Sequence, residues 1–285
     1  MKKLYIFSVL CSLSVASLAQ QTPVLKQKYL PKHTYSINNK MAILMQATMH
    51  SDSVAKATGG SGDESVEMKY QAENNTDLKT AEASADRSIP VAMSKTLVVY
   101  HVAINNQEAP PQPDLLAGKT INGTIDAAGN VYADTTKTGT EVNSFIKGMV
   151  EALPTSITFP DRQLKVGDTF TKEEPGYTVD LTNQGIKKDF PMNVIYKLTD
   201  IKDEKLSFET SSVFVINHEA KYQGRTIKIE GKGSSSGKFV FDIGKSYPLY
   251  KGEQIDVAFE VNSDKAIAKF KNTVWHEAKA TASAN

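Results

Sequence analysis

From Phe190 to His276, large apolar residues take every second position in one stretch after another. A period of two puts all of them on one side of an extended chain, so each stretch reads as a half-buried β-strand. Phe190, Met192, Val194, Tyr196 and Leu198 make the first set; Leu206, Phe208, Phe214 and Ile216 make a looser second. Ile255, Val257, Phe259 and Val261 alternate with Asp256, Glu260 and Asn262, and a last strand is expected from about Ala266 to His276. Ile227 and Ile229 are expected to pair with Phe239, Phe241 and Ile243 across a Gly-Ser-rich turn. Asp203-Glu204, Gly244-Lys245 and Ser263-Asp264 supply turn residues at the joints. Strands joined so tightly pair antiparallel, as a meander.

The first half of the chain is less regular. Tyr35 to His50 reads as a strand with Met41, Ile43, Met45 and Met49 on one side and Gln46, Thr48 and His50 on the other. Residues 51–64 are rich in Gly, Ser and Asp and read as a flexible loop. Val66, Met68 and Tyr70 restart the alternation, whereas Asp77 to Asp86 has helical composition without clear periodicity. Thr96 to Ile104 is nearly continuous apolar sequence, the pattern of a strand covered on both faces. Pro110, Pro111 and Pro113 force an irregular connection, and Ala127-Ala128-Gly129 is placed to turn a short hairpin.

Between these regions the period changes. Val142, Phe145, Ile146, Met149, Val150 and Leu153 form a stripe at helical spacing. Thr138 and Glu141 have capping-box spacing, and Pro154 ends the pattern. A helix with one apolar stripe must bury it against the sheet. The expected fold is therefore mainly β: one long antiparallel curved sheet, a half-barrel, wrapping a single amphipathic α-helix.

The N-terminus has the three parts of a secretory signal: Lys2 and Lys3, an apolar run from Leu4 to Val15, and Ser17-Leu18-Ala19. Residues 1–19 are expected to be removed before Gln20, leaving 20–285 as a single β-rich domain, exported to the periplasm or beyond. The apolar run is shorter than the roughly 20 residues of a membrane span, and no other segment is apolar enough to cross as a helix. The only cysteine, Cys11, falls within the signal, so disulfides are not expected to stabilise the mature chain. Without Lys2 and Lys3 the chain has 31 basic and 32 acidic residues. Such balance gives no electrostatic reason to expect a nucleic acid partner.

Catalytic patterns are not found. There is no Gly-x-Ser-x-Gly elbow and no His-Glu-x-x-His. Gly231 to Lys238 resembles a phosphate loop only superficially, because Gly233 is one residue too close to Gly237 and Phe239 stands where Ser or Thr is needed. The five histidines are scattered, and Asp180, Asp189, Asp200, Asp203 and Glu204 show no spacing that selects an acid–base pair. No metal or cofactor site is expected. Met41, Met45, Met49, Met68 and Met149 suit a surface that accepts varied apolar ligands, though ordinary core packing uses methionine in the same way. If the sheet leaves a hollow beside the helix, its lining is expected to include Met41, Met45, Met49, Phe145, Met149, Phe208, Phe241 and Phe259.

The strand and hairpin at Asp126 to Val131, the capped helix from Thr138, Leu164-Lys165-Val166-Gly167-Asp168-Thr169-Phe170 and the terminal meander together resemble exported proteins of Bacteroidota-type bacteria. Some of these are similar to the lipoprotein-localisation-factor superfamily. That resemblance, over roughly Thr96 to His276, implies a curved sheet wrapped round a helix and a role in holding lipid. Asp52-Ser53-Val54 and Asp134-Thr135-Thr136 also resemble short O-glycosylation sites of such bacteria, which would place sugar on Ser53 or Thr135. Three functions follow in order: a carrier of an apolar ligand such as lipid, a structural or partner-binding envelope protein, and a hydrolase with an unfamiliar site.

Overall fold

The computed structural model describes residues 22, 24–25, 28–51, 63–110, 116, 118–127, 129–136, 146, 150, 158–181, 186–222, 225–263 and 266–285. Among the described residues, twelve strands form one antiparallel sheet: β1 (His33–Ser51), β2 (Asp63–Thr80), β3 (Ile89–Ile104), β4 (Gln107–Glu108), β5 (Thr120–Ile125), β6 (Val131–Ala133), β7 (Thr169–Leu181), β8 (Ile186–Lys202), β9 (Lys205–Tyr222), β10 (Arg225–Asp242), β11 (Tyr247–Asn262) and β12 (Ala266–Ala284). Their order across the sheet is β6-β5-β3-β2-β1-β12-β11-β10-β9-β8-β7, with β4 beside the end of β3. β6 and β7 are edges, so the curved sheet does not close into a barrel.

The meander expected from Phe190 is present as β8 to β12, with β7 added before it. At the β8–β9 joint, Asp203 and Glu204 both have positive φ, as a two-residue hairpin turn with the right twist requires. The hairpin at Ala127 to Gly129 joins β5 to β6. Four parts of the sequence reading are corrected or completed. The Gly-Ser stretch at 231–238 is no turn but the middle of β10, which pairs without a break against β9. Its glycines make room for close contacts: a Cβ at Gly233 would lie 2.1 Å from the Phe214 ring. Asp77 to Thr80 belong to β2, where Leu78 is fully buried, because cross-strand packing outweighs local composition. The apolar run at the end of β3 is not covered on both faces, since Val99 and Ile104 are exposed. Of the loop expected at 51–64, Ser51, Asp63 and Glu64 belong to strands, and 52–62 lie outside the described residues.

Two apolar cores lie on one face of this sheet, here the inner face. In the first, Leu198, Phe208 and Phe239 are direct cross-strand neighbours. In the second, Tyr35, Leu78, Met93 and Ile121 form a row across β1, β2, β3 and β5. The register Phe239–Lys251–Ala278–Asn39, with Ile37 two residues from Asn39, puts both cores on the same side. Leu25, Phe159 and Leu164 cover the first core; Tyr29, Leu116, Ile146 and Val150 pack on the second. Of the helix expected from about Gly139 to Leu153, only Ile146 and Val150 are described, and Phe145 and Met149 lie outside the described residues.

The sheet gains a second layer at one end. β8 pairs with β9 only over Ile195–Lys202, while its earlier part stays paired with β7. The β7–β8 hairpin therefore leaves the plane and crosses the inner face. Val179, Ile186, Phe190, Met192 and Val194 are buried there in the same core as Ile229, Val257 and Phe259. The Tyr177 and Phe259 rings lie 6.0 Å apart, and the Asn272 side-chain amide donates to the Tyr177 hydroxyl. Beyond Ser211, β9 pairs with β10 alone among the described strands, and Val213 and Val215 point away from the core, 77% and 70% exposed.

Candidate binding groove

The most developed hollow among the described residues does not lie beside the cores. It is a groove of about 1050 Å³ on the opposite, outer face, and its lining runs from Val99 on β3 across to Thr169 on β7. Residues from strands at positions three to eleven of the sheet order line a single groove, so the sheet bends around it on this side. The cross-strand register explains its composition. His101, Gln71, Ala42, Trp275, Gln254, Ser236, Ser211 and Ile195 are successive neighbours in one row. This floor holds no carboxylate or lysine. The adjoining row reads Glu73, Lys40, Glu277, Gly252, Lys238, Glu209 and Lys197, an alternation with three charges of each sign. Lys40 pairs with Glu73 at 3.3 Å, and hydrogen bonds from Asn38 and Lys40 hold the Glu73 carboxyl below its usual range.

Trp275 is the only tryptophan of the chain and is 43% exposed. Its indole N–H donates to Gln254 Oε1 at 2.9 Å. Gln254 Nε2 donates to Asp256 Oδ2 at 2.7 Å, and the Thr273 hydroxyl donates to Asp256 Oδ1 at 2.8 Å. This chain of bonds holds the ring in place. On its other side stands Ala42, too short to cover it. Tyr250 also enters the groove: a Cβ on Gly252 would lie 2.3 Å from the Tyr250 hydroxyl, so glycine there lets the ring lie flat along the strand. A smaller hollow of about 620 Å³, lined by Leu44, Val213, Asp256 and Thr273 among others, continues along the next rows of the same face.

Behind the groove, the inner face carries a polar layer between its apolar rows. Glu174, from the crossing hairpin, accepts from Lys251 Nζ at 2.8 Å and from the Tyr196 hydroxyl. Lys251 also reaches Glu253 at 3.7 Å. Burial pushes the Glu174 carboxyl up, but the Lys251 charge and the two hydrogen bonds outweigh it and hold the group below its usual range. Burial, and then the Glu174 charge, push the Tyr196 hydroxyl far above its usual range and keep it a donor. Burial and the Lys251 charge lower His276. A buried carboxylate with its own lysine and tyrosine is a fastener for the hairpin, since each charge and donor is matched inside the group.

The residues expected to line a ligand hollow separate. Phe208, Phe241 and Phe259 are buried members of the first core, packed against Phe159, Phe239 and Phe270. Met45 and Met49 lie on the inner face of β1, half-buried and exposed respectively. Among the described members of the set, Met41 alone borders the groove. Ser53 lies outside the described residues, and Thr135 follows β6 in a half-buried position. Among the described residues no group of side chains is placed to hold a metal ion, and no helix is long and apolar enough to cross a membrane.

Sequence reasoning passed over Trp275, Val99, Ile195 and Gln254. A signal for the first was present. Lys269, Lys271, Thr273, Trp275 and Glu277 are the outward positions of β12, and a tryptophan among them is the kind of exposed apolar residue that calls for an explanation. No protein-family model matches this sequence, and no curated protein matches it either.

Proposed function

We propose that this is an exported, non-enzymatic binding protein that holds an elongated ligand with an extended apolar face in the outer groove. The supporting observation is the convergence of Val99, Ile195 and the pinned, half-exposed Trp275 in one groove that crosses nine strands. Apolar surface covered there contributes about 25 cal/mol per Å² before ordering costs. A ring already held by Gln254 loses little further freedom on binding, which favours affinity. The inner face offers less support for a ligand at its β7–β11 end, where phenylalanines fill the space between layers. Export rests on the Lys2-Lys3 start, the apolar run and the Ser17-Leu18-Ala19 end. N-terminal sequencing of the exported protein is expected to begin at Gln20; an intact Met1 would refute it.

Because Trp275 is the sole tryptophan, its emission reports on the groove without labelling. Titrating the mature protein with a dansylated fatty acid, and separately with neutral oligosaccharides, is expected to give a saturable change in that emission for at least one class. An emission spectrum indifferent to both classes would remove the groove as a binding site.

A further inference from the structure

The floor of the groove narrows the class of ligand. Building on the binding role proposed above, we infer that the ligand is a neutral, linear glycan lying across the strands, stacked on Trp275 and hydrogen-bonded by the amide and hydroxyl side chains of the same row.

Three observations lead there. First, the floor combines an aromatic platform with neutral hydrogen-bonding groups: Gln71, Ser211, Ser236 and Gln254 flank Trp275 and the small Ala42. Covering those amides and hydroxyls with an acyl chain would strip their water and return nothing, which is unfavourable. A sugar ring matches both demands, because its C–H face is apolar and its rim carries hydroxyl groups that donate and accept. Second, the indole is fixed by Gln254, and its neighbour Ala42 leaves it open on the β1 side. Flat, fixed aromatic surface suits a flat ring better than a flexible chain. Third, the adjoining row alternates in sign and sums to zero. A polyanionic ligand laid along it would meet as many carboxylates as lysines, so the row selects against strongly charged chains.

Length follows from the sheet. The floor row from His101 to Ile195 spans eight strands, and neighbouring strands lie roughly 4.8 Å apart, so its path is on the order of 34 Å. Several sugar units fit along it.

The test uses the mature full-length protein, calorimetry, and Trp275 emission with three linear neutral hexasaccharides (of glucose in two linkages, and of N-acetylglucosamine) beside a dansylated fatty acid. Saturable binding of at least one hexasaccharide is expected. By calorimetry it should be lost in Trp275→Ala, largely kept in Trp275→Phe, and weakened about 2- to 10-fold in Gln254→Ala, the worth of one or two hydrogen bonds. Circular dichroism of each variant separates loss of binding from loss of fold. Fatty-acid binding that depends on Trp275, with no hexasaccharide bound, would overturn the glycan inference and leave the groove as a binding site. Failure of every probe would overturn both. Hexasaccharide binding unaffected by Trp275→Ala would overturn the assignment of this floor.

Discussion

The two ends of the inner face have the same kind of sequence and different fates. On β9 to β11, Phe208, Phe239, Val257 and Phe259 alternate with mostly polar residues and are buried. On β1 to β3, Met41, Ile43, Met45, Met68 and Tyr70 alternate just as clearly and are only half-buried, and Met49, Val66 and Ile104 are exposed. The difference is what lies above. The β7–β8 hairpin leaves β9 at Ile195 and covers the first set. Over the second set, the described covering residues reach only the end near Ile37 and Leu78. Alternation selects the side on which a residue points, and a second layer decides whether that side becomes a core.

The sharpest way to break this comparison is to truncate one residue in each region. Phe239→Ala is expected to cost about 3–5 kcal/mol in urea unfolding, since the ring is enclosed by Tyr196, Phe208 and Phe241. Met45→Ala should cost about 1 kcal/mol or less, because a half-exposed side chain gives up little transfer energy. Equal losses would mean that the two ends are covered alike.

Next in size is the fastener of the hairpin. Glu174→Ala leaves Lys251 and Tyr196 without their shared partner and should destabilise by about 3 kcal/mol. Hydrogen exchange should rise first in 186–194, the segment that has left β9. Uniform change across the sheet would show that Glu174 does not fasten this hairpin in particular.

Acid sharpens the same contrast. Glu174 has a folded pKa below its ordinary 4.5, so its contribution is complete above that value and is lost as pH falls through the lower folded one. His276 has a folded value below 6.5, so the unfolded chain takes up its proton first and stability drops as pH falls below 6.5. Melting temperature against pH is expected to decline in two stages. Glu174→Gln should shrink the lower stage, to which Glu73 and Asp168 also contribute, and His276→Asn should remove the upper; a profile unaffected by either substitution would refute the assignment.

The smallest expected effect compares two valines that point to opposite faces. Val213→Thr, at a side chain 77% exposed on the outer side, should change stability by no more than about 0.5 kcal/mol. Val194→Thr puts a hydroxyl into the first core and should cost about 1–3 kcal/mol. Matching values would show that the hairpin does not seal that part of the inner face.

Sequence alone was sufficient for β8, β9, β11 and most of β12, and for the face each side chain takes there, because a period of two is written locally in those strands. Glycine misled at 231–238: its freedom suits a turn, but here it admits the Phe214 ring against the strand, a demand made by a residue on β9. Which strands become neighbours was also beyond local reading. β1 lies against β12 through nineteen registered pairs, a contact between the two ends of the chain, and that pairing brings Ala42 beside Trp275. The departure of β8 from β9 and the bend that makes the groove depend on the twist and packing of the whole sheet. Composition identified which residues prefer to avoid water, and only the assembled sheet determined which of them could.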